Sequence, residues 1–356
     1  MHRKAIFRSV AILATAVATC APAEVHPEKT EIARLLALGG VGFSIHRADH
    51  FLIASDGNEG VVNPLADRLE AAYQAVVRFC DDLKISIHPP PKPLPVLLFN
   101  RHSDFERYAS TVGFTGPAAP GCYHPRNNTA AFCNLHDLPK LRDISQRIEQ
   151  AEAQRDSSTP RERITEWRSQ RDKLVETFNR LVIQHEAAHQ LLFNIGVLSS
   201  DSEFPDWLVE GLACQFEVSL DGTNQMRLAD FRKAYAATQN ADTAPALGDT
   251  ALPSNKQFLS LIELIADDEF NVADESKRAV RYAQAWALVD YLRRTHGEAL
   301  ATYLRRVTER KSNEPADRQH RITEFRLVFG SPDQAFERLW IESILSLPFD
   351  PRQTRR

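Results

Sequence analysis

Residues 184–193 read QHEAAHQLLF, with His185 and His189 four positions apart and Glu186 directly after the first histidine. On an α-helix, side chains four apart lie on the same face, so both histidines can bind one zinc ion at about 2.0–2.1 Å. Glu186 is offset by one residue, where a carboxylate can act as a general base on a zinc-activated water. The same pattern also arises by chance on ordinary helices, so the rest of the chain decides its meaning.

Residues 205–217 read PDWLVEGLACQFE and supply a candidate for the third ligand that a catalytic zinc site needs. Pro205 and Asp206 are typical of a helix start, and Glu210 follows within this segment, 21 positions after His189. The apolar face of the predicted helix consists of Trp207, Leu208, Leu212, Ala213 and Phe216. Because an unpaired carboxylate is costly to bury, a metal ion would explain a glutamate among these residues.

HEAAH and the downstream WLVEGLA together resemble the signature of the gluzincin zinc metallopeptidases of the peptidase-MA clan. In these enzymes, two histidines and a downstream glutamate bind zinc. The chain is more closely similar to a bacterial secreted family of peptidase-MA-like proteins whose domain has no known function. The matching segments are HFLIAS (50–55), VLLFN (96–100), GCYHPRNNTAAF (121–132), HEAAHQLLFNIG (185–196), PDWLVEGLACQFE (205–217) and YAQAWALVDYL (282–292).

The resemblance implies one zinc ion per chain, bound by His185, His189 and Glu210, with Glu186 as the general base. In the aminopeptidase branch of the gluzincins, a tyrosine that opens a Y-x-x-x-x-A-L helix donates a hydrogen bond to the oxyanion of the tetrahedral intermediate. Tyr282 has the matching position, and a donor fixed where negative charge develops favours the transition state. The other interpretation is a core tyrosine at the start of an amphipathic helix.

Two departures from the gluzincin pattern concern the zinc histidines and the substrate. Many gluzincins have an acidic residue four positions after the glutamate ligand that orients a zinc histidine, and here that position is Cys214. The orienting partner is therefore not identified by the resemblance. The glycine-rich segment whose glutamate binds a free α-amino group in the aminopeptidases is absent upstream, which favours an endopeptidase.

A hairpin predicted between Cys122 and Cys133 matches the place where gluzincins present an edge strand to an extended substrate. Main-chain hydrogen bonding makes this a natural mode of peptide recognition. Tyr123 and His124 are therefore candidates for substrate contact, although residues on a hairpin surface are also commonly only solvated.

The resemblance implies an α+β, thermolysin-like fold, in which a small twisted sheet packs on the HExxH helix and a mostly helical C-terminal half follows. The residue patterns predict a hairpin over 42–55, a helix starting at Asn63 and Pro64, a buried strand over 96–99, a short helix over 103–109 and a hairpin over 121–134. We divide the chain into a signal peptide (1–23), an N-terminal α+β part with the substrate-side sheet (24–138), a helical hairpin with the zinc-binding helices (139–217) and a helical C-terminal part (218–356).

The charged segment 139–194 predicts two antiparallel helices, the second opened by a capping box at Thr159, Pro160 and Glu162. An apolar stripe on the second helix leads at helical spacing to the two histidines and consists of Ile164, Trp167, Leu174, Phe178 and Val182. The helix pair is either a solvated hairpin or an arm that covers the site or binds a partner.

The first 23 residues resemble a secretory signal peptide, with basic residues, an apolar stretch over 10–18 and a small-x-small site that ends at Ala23. No segment reaches the roughly 20 apolar residues of a spanning helix. We therefore expect a secreted, periplasmic or cell-envelope protein without a transmembrane span. A second interpretation places a lipid anchor on Cys20, because residues 17–20 form an imperfect lipobox.

Charge composition argues against nucleic acid as a partner. The chain has 43 Lys and Arg against 47 Asp and Glu, a formal net charge of −4, so it lacks the basic excess that phosphate binding needs. With 356 residues, of which 43% are hydrophobic, it is long enough to bury a sizeable core.

Four cysteines follow the predicted leader: Cys80, Cys122, Cys133 and Cys214. A two-residue turn at Asn127 and Asn128 would place Cys122 opposite Cys133 across a hairpin, and this pair is our preferred disulfide. The alternative is four free thiols that pack as small hydrophobic side chains.

The sequence thus favours an exported zinc-dependent metallopeptidase that hydrolyses peptide bonds in a peptide or protein substrate through a zinc-activated water. The alternative is a non-catalytic envelope protein that keeps the gluzincin scaffold, with a structural zinc or none, and binds a protein partner. Glu186 favours the enzyme, because a structural zinc site needs no general base. The sequence determines neither the substrate nor the oligomeric state.

Overall fold

The computed structural model describes residues 27–114, 119–153, 161–218, 222–242, 258–266, 270, 272, 274–310 and 316–353. The predicted signal peptide, the proposed lipid anchor at Cys20 and the first two residues of the predicted capping box, Thr159 and Pro160, lie outside them.

Five strands of the described chain form one mixed sheet in the spatial order β1-β2-β3-β5-β4. The strands are β1 (Ser44–Arg47), β2 (Phe51–Ser55), β3 (Leu94–Phe99), β4 (Gly121–His124) and β5 (Thr129–Cys133). Two antiparallel hairpins, β1–β2 and β4–β5, flank the parallel strand β3. The inner strands FLIAS, LPVLLF and TAAFC are buried throughout, as expected when helices cover both faces of parallel strands.

Helices cover the two faces of this sheet. On one face lie α1 (Pro27–Gly39), whose Arg34 donates to Thr129 Oγ1 at 2.9 Å, and α3 (His102–Thr111), whose Phe105 and Tyr108 pack on Phe99. The opposite face carries α2 (Glu59–Asp82) and the helix that follows residue 184. The site described below belongs to this second face.

The start of α2 differs from the prediction at Asn63 and Pro64. The helix begins at Glu59, and the backbone N–H groups of Val61 and Val62 donate to the carbonyl of Asn58. Pro64 therefore lies inside the helix, where it removes one backbone hydrogen bond. Val62 is 1% exposed, and the burial of this side chain in the core offsets that loss.

The predicted antiparallel helix pair is formed by α4 (Pro139–Ala153) and α5 (Arg161–Phe178). A π-helix, Asn179–Gln184, then leads directly into α6 (His185–Asn194). None of the residues of α5 is fully buried, and burial begins only at Val182 and Ile183 in the π-helix. The predicted stripe therefore does not continue unchanged into α6, because i→i+5 bonding shifts the phase of the side chains.

The C-terminal half is helical, as predicted. Its helices are α7 (Asp206–Ala213), α8 (Gln225–Asp242), α9 (Leu261–Ala266), α10 (Glu275–Thr295), α11 (Gly297–Thr308), α12 (Arg318–Phe329) and α13 (Gln334–Leu345). The long helix α10 is the centre of this half and packs against α7, α8, α11 and α13. None of the helices in the described ranges combines the length and apolar composition that a membrane span requires.

The structure does not contain the predicted disulfide between Cys122 and Cys133. Both are free and buried, as are Cys80 and Cys214. The β4–β5 turn spans four residues, 125–128, so the register pairs Cys122 with Ala131. Cys133 is then a diagonal neighbour, at a Cα separation of about 7–8 Å, beyond the roughly 4.4–6.8 Å that a disulfide spans. A two-residue turn would have shifted the register by two and placed the cysteines opposite each other.

A glycine allows the close approach of α7 and α10. A Cβ atom on Gly211 would lie 2.5 Å from the carbonyl oxygen of Ala285 and 2.7 Å from Cγ2 of Val289. Backbone cannot yield as a flexible side chain can, so only glycine permits this packing distance. Because Glu210 directly precedes Gly211, this contact also sets the distance between Glu210 and α10.

We predict that Gly211→Ala lowers the free energy of unfolding by about 1–3 kcal/mol, because the added methyl group forces α7 away from α10. Urea unfolding followed by circular dichroism measures the change. The matched control is Gly60→Ala in α2, where a Cβ meets only a side-chain atom of Asn58 at 3.3 Å. That control should stabilise by about 0.4–1 kcal/mol. Equal stability of Gly211→Ala and wild type would contradict the packing argument.

Candidate metal centre

Three electron-pair donors from α6 and α7 meet at one point. His185 Nε2 lies 3.1 Å from His189 Nε2 and 3.1 Å from Glu210 Oε2, and His189 Nε2 lies 3.4 Å from the same carboxylate oxygen. Helical spacing explains the first pair, because residues four apart share one face of α6. The helix α7 brings the third donor from a separate segment, as the sequence predicts.

The geometry of this donor set fits a zinc ion. Ligand atoms that surround zinc tetrahedrally at about 2.0–2.1 Å are separated by about 3.3–3.4 Å. The three measured separations of 3.1–3.4 Å agree with this spacing. Two histidines and one glutamate are also a donor set that catalytic zinc sites use, with the fourth position open. His185, His189 and Glu210 could therefore hold one zinc ion.

Glu210 remains charged although it is half-buried. Burial alone would raise the pKa of its carboxyl group, but His189 and His185 hold that pKa well below its usual value. A carboxylate that stays ionised is available as a metal ligand over the whole physiological pH range.

Glu186 projects beside this donor set and is tethered to the sheet. Its Oε2 accepts a hydrogen bond of 2.9 Å from the backbone N–H of Tyr123 in the edge strand β4. Burial raises the pKa of Glu186, and the charges of His185 and His189 oppose this rise. A carboxylate whose pKa is raised toward neutrality is a stronger proton acceptor, which suits a general base.

Tyr282 of α10 lies at the same centre. The centroid of its ring is 5.9 Å from that of His185, and the Cζ atom of Arg227 lies over the ring at 5.2 Å. Burial, together with Glu210 and Glu186, raises the pKa of Tyr282 well above its ordinary value. The phenol therefore stays protonated at neutral pH and can donate a hydrogen bond.

The sequence did not identify the partner of the zinc histidine, and the structure places Glu217 there. His185 Nδ1 donates to Glu217 Oε1 at 3.2 Å, so Nε2 is the ring nitrogen that faces the other donors. Arg227 holds the pKa of Glu217 at about 2 although burial would raise it. The signal was present in the sequence, since Glu217 closes the segment PDWLVEGLACQFE seven residues after Glu210, where a 3-10 helix, Cys214–Glu217, follows α7.

Cys214, at the position where many gluzincins have an acidic residue, also contacts His185. Its Sγ lies 4.0 Å from Nδ1, and burial raises the pKa of this thiol to about 11. His185, Cys214 and Glu217 are close enough to form a second donor group. The oxygens of Glu217 are already bonded to Arg227 and Asn224, so this group is better suited to orient His185 than to bind a metal.

The two residues predicted to contact substrate lie on opposite faces of β4. The side chain of Tyr123 is 7% exposed, donates to Asn128 Oδ1 at 3.0 Å and packs on Phe193. Its backbone rather than its side chain reaches the site. His124 pairs with Thr129, whose side chain bonds Arg34 of α1, so alternation places His124 on the sheet face away from α6.

Comparison with known proteins adds one match. Residues 180–314 match the sequence profile of a family described as a protein of unknown function (DUF1570). This stretch contains every residue of the donor set, together with Glu186, Glu217, Arg227 and Tyr282, whereas the sheet precedes it. A search of curated proteins found no match.

We predict that Glu217→Gln weakens zinc binding about 10–100-fold, because the neutral amide holds His185 less firmly. Competition with a chromophoric chelator measures the zinc dissociation constant. Glu324→Gln is the matched control, since Glu324 is also a buried carboxylate beside an arginine, Arg310, but has no contact with the donor set. If both variants bind zinc as wild type does, Glu217 does not orient the ligand.

Proposed function

We propose that the protein is an exported zinc-dependent metallopeptidase of the gluzincin type, with a thermolysin-like scaffold. The observation that carries this proposal is the convergence of His185, His189 and Glu210 within 3.4 Å, with Glu186 beside them. Such a site holds the two components that peptide hydrolysis needs, a place for a catalytic metal and a general base.

When bound, zinc supplies a Lewis acid and lowers the pKa of water toward about 7. Glu186 then accepts a proton from the attacking water and delivers it to the nitrogen of the leaving amine. The bond from the Tyr123 N–H holds the carboxylate of Glu186 in place for both transfers. A base that is fixed before the reaction needs no reorganisation during it.

Tyr282 acts on the oxygen of the peptide carbonyl. As the peptide carbonyl becomes tetrahedral, negative charge develops on its oxygen, and a phenol that remains protonated can donate a hydrogen bond to it. The raised pKa of Tyr282 supports this role.

The substrate in this proposal is an extended peptide. Strand β4 is at the edge of the sheet, and no other strand in the described part of the chain pairs with its outer side. A peptide can add to such an edge through main-chain hydrogen bonds. The backbone of Tyr123 then lies between the substrate and the general base Glu186. We favour an endopeptidase, because the sequence lacks the glycine-rich segment that would bind a free α-amino group. Export is part of the proposal and depends on residues 1–23 alone.

We predict that Glu186→Gln reduces casein cleavage about 10²–10⁴-fold, because the amide cannot accept the proton from water. The zinc content should stay at the wild-type level, since Glu186 is not a ligand. Glu298→Gln, at an exposed position on α11, is the control and should cleave as wild type does. Equal cleavage by Glu186→Gln and wild type would contradict the mechanism. Zinc binding without cleavage in the wild type would instead favour the alternative, a non-catalytic scaffold that binds a protein partner.

A further inference from the structure

Arg227, which is partly buried, contacts both Glu217, the partner of the ligand His185, and Tyr282, the proposed hydrogen-bond donor. Arg227 lies in the first turn of α8, and its side chain is 14% exposed. Its Nε donates to Glu217 Oε2 at 2.8 Å and its Nη2 donates to Oε1 at 2.5 Å. The Cζ atom of the same guanidinium lies over the ring of Tyr282, 5.2 Å from the ring centroid.

Both carboxylate oxygens of Glu217 are held by hydrogen bonds. Oε1 is shared between Arg227 and His185 Nδ1, and Oε2 is shared between Arg227 and the Nδ2 of Asn224 at 2.8 Å. The side chain of Glu217 is 0% exposed, so an arginine is needed to compensate its charge. Any rotation of the guanidinium would displace the oxygen that holds His185.

The same rotation would change the packing of Tyr282. The contact of 5.2 Å lies within the range of a cation–π interaction. Because Tyr282 also lies 5.9 Å from the His185 ring, Arg227, Tyr282 and His185 form a closed set of contacts through Glu217. The side chain of Arg227 therefore fixes both His185, through Glu217, and Tyr282.

We propose that Arg227 is a positioning residue that fixes the zinc ligand His185, through Glu217, and the oxyanion donor Tyr282 in one mutual arrangement. This inference rests on the proposed function. A planar fork is required for it, because the guanidinium binds both carboxylate oxygens of Glu217 while its Cζ atom lies over the ring of Tyr282. A lysine at this position would keep the charge but could not form the bidentate bond to Glu217 while its charged group lies over the Tyr282 ring.

A simpler role is also testable, namely that Arg227 only neutralises the buried charge of Glu217. The two roles differ in what Arg227→Lys does. Charge neutralisation alone predicts that lysine suffices, whereas positioning predicts that it fails. Arg310→Lys provides the control, because Arg310 also lies beside a buried carboxylate, Glu324, and has no contact with the centre.

The experiment compares wild type, Arg227→Lys, Tyr282→Phe, the double variant and Arg310→Lys, each as the zinc-loaded full chain. The first readout is kcat and KM for cleavage of a fluorogenic casein. We expect Arg227→Lys to lower kcat about 10–100-fold through misplacement of the reacting groups, with KM changed less than about threefold. In the Tyr282→Phe background, the same change should lower kcat by a clearly smaller factor, since groups that act as a unit are not additive and only the effect through His185 remains.

Two further readouts do not depend on activity. The zinc dissociation constant of Arg227→Lys should rise about tenfold or more, because the bond that orients His185 is weakened. The near-ultraviolet circular dichroism that Tyr282 contributes, obtained by subtracting the Tyr282→Phe spectrum, should decrease when Arg227 is lysine. Arg310→Lys should leave all three readouts at their wild-type values.

Wild-type zinc affinity together with an undiminished Tyr282 signal in Arg227→Lys would overturn the proposal, as would fully additive losses of kcat in the double variant. A wild type that binds zinc but cleaves no casein would contradict the proposed peptidase and not the positioning role. In that case, the dissociation constant and the Tyr282 signal decide the inference by the same criteria.

Discussion

The packing of α7 against α6 and α10 is the constraint on which the centre depends. It places Glu210 Oε2 at 3.1 Å from His185 Nε2, and so assembles two histidines of one helix with a carboxylate of another. Three electron-pair donors this close together repel one another unless a cation, either a proton or a metal ion, lies between them. The fold therefore gathers donors that favour a bound cation, and Gly211 permits this by allowing α7 to approach the backbone of α10.

Three of the groups around this centre, His185, Glu217 and Glu186, have partners that fix their directions. Glu217 holds His185, Arg227 and Asn224 hold Glu217, and the backbone of β4 holds Glu186. These contacts come from the sheet, from α6 and from the C-terminal helices, so the centre is where the two halves of the chain meet. A site of this kind retains its geometry only while all these elements are packed, which makes the stability of the fold and the arrangement of the donors inseparable.

The sequence predicted most of the elements and the donor set, for physical reasons that can be named. Apolar alternation and turn residues predicted the strands, and helical spacing of His185 and His189 with an acidic residue in a second apolar helix predicted the three donors. The start of α2 was misplaced because the burial of Val62 outweighs the signal of a proline at N1. The register of the β4–β5 hairpin was misplaced by two residues, since turn length depends on how Asn128 adopts a left-handed conformation within a longer loop.

Partners that are distant in sequence were the least predictable. Glu217 could have been found from its spacing of seven residues after Glu210, but Arg227 reaches it from another helix, and no local pattern indicates that contact. Likewise, the N–H that holds Glu186 belongs to the backbone of an edge strand, where residue identity carries no signal. Such contacts depend on tertiary packing, which propensity and periodicity do not encode.

The central claim is that these donors hold a metal, and the zinc content of the purified chain tests it most directly. Elemental analysis should find about one zinc per wild-type chain, as a site with two histidines and one glutamate requires. The content should fall strongly in Glu210→Ala and stay at the wild-type level in Glu298→Gln. No zinc in the wild type, or equal zinc in Glu210→Ala and wild type, would contradict the account and reduce the HEAAH sequence to a coincidence on a helix.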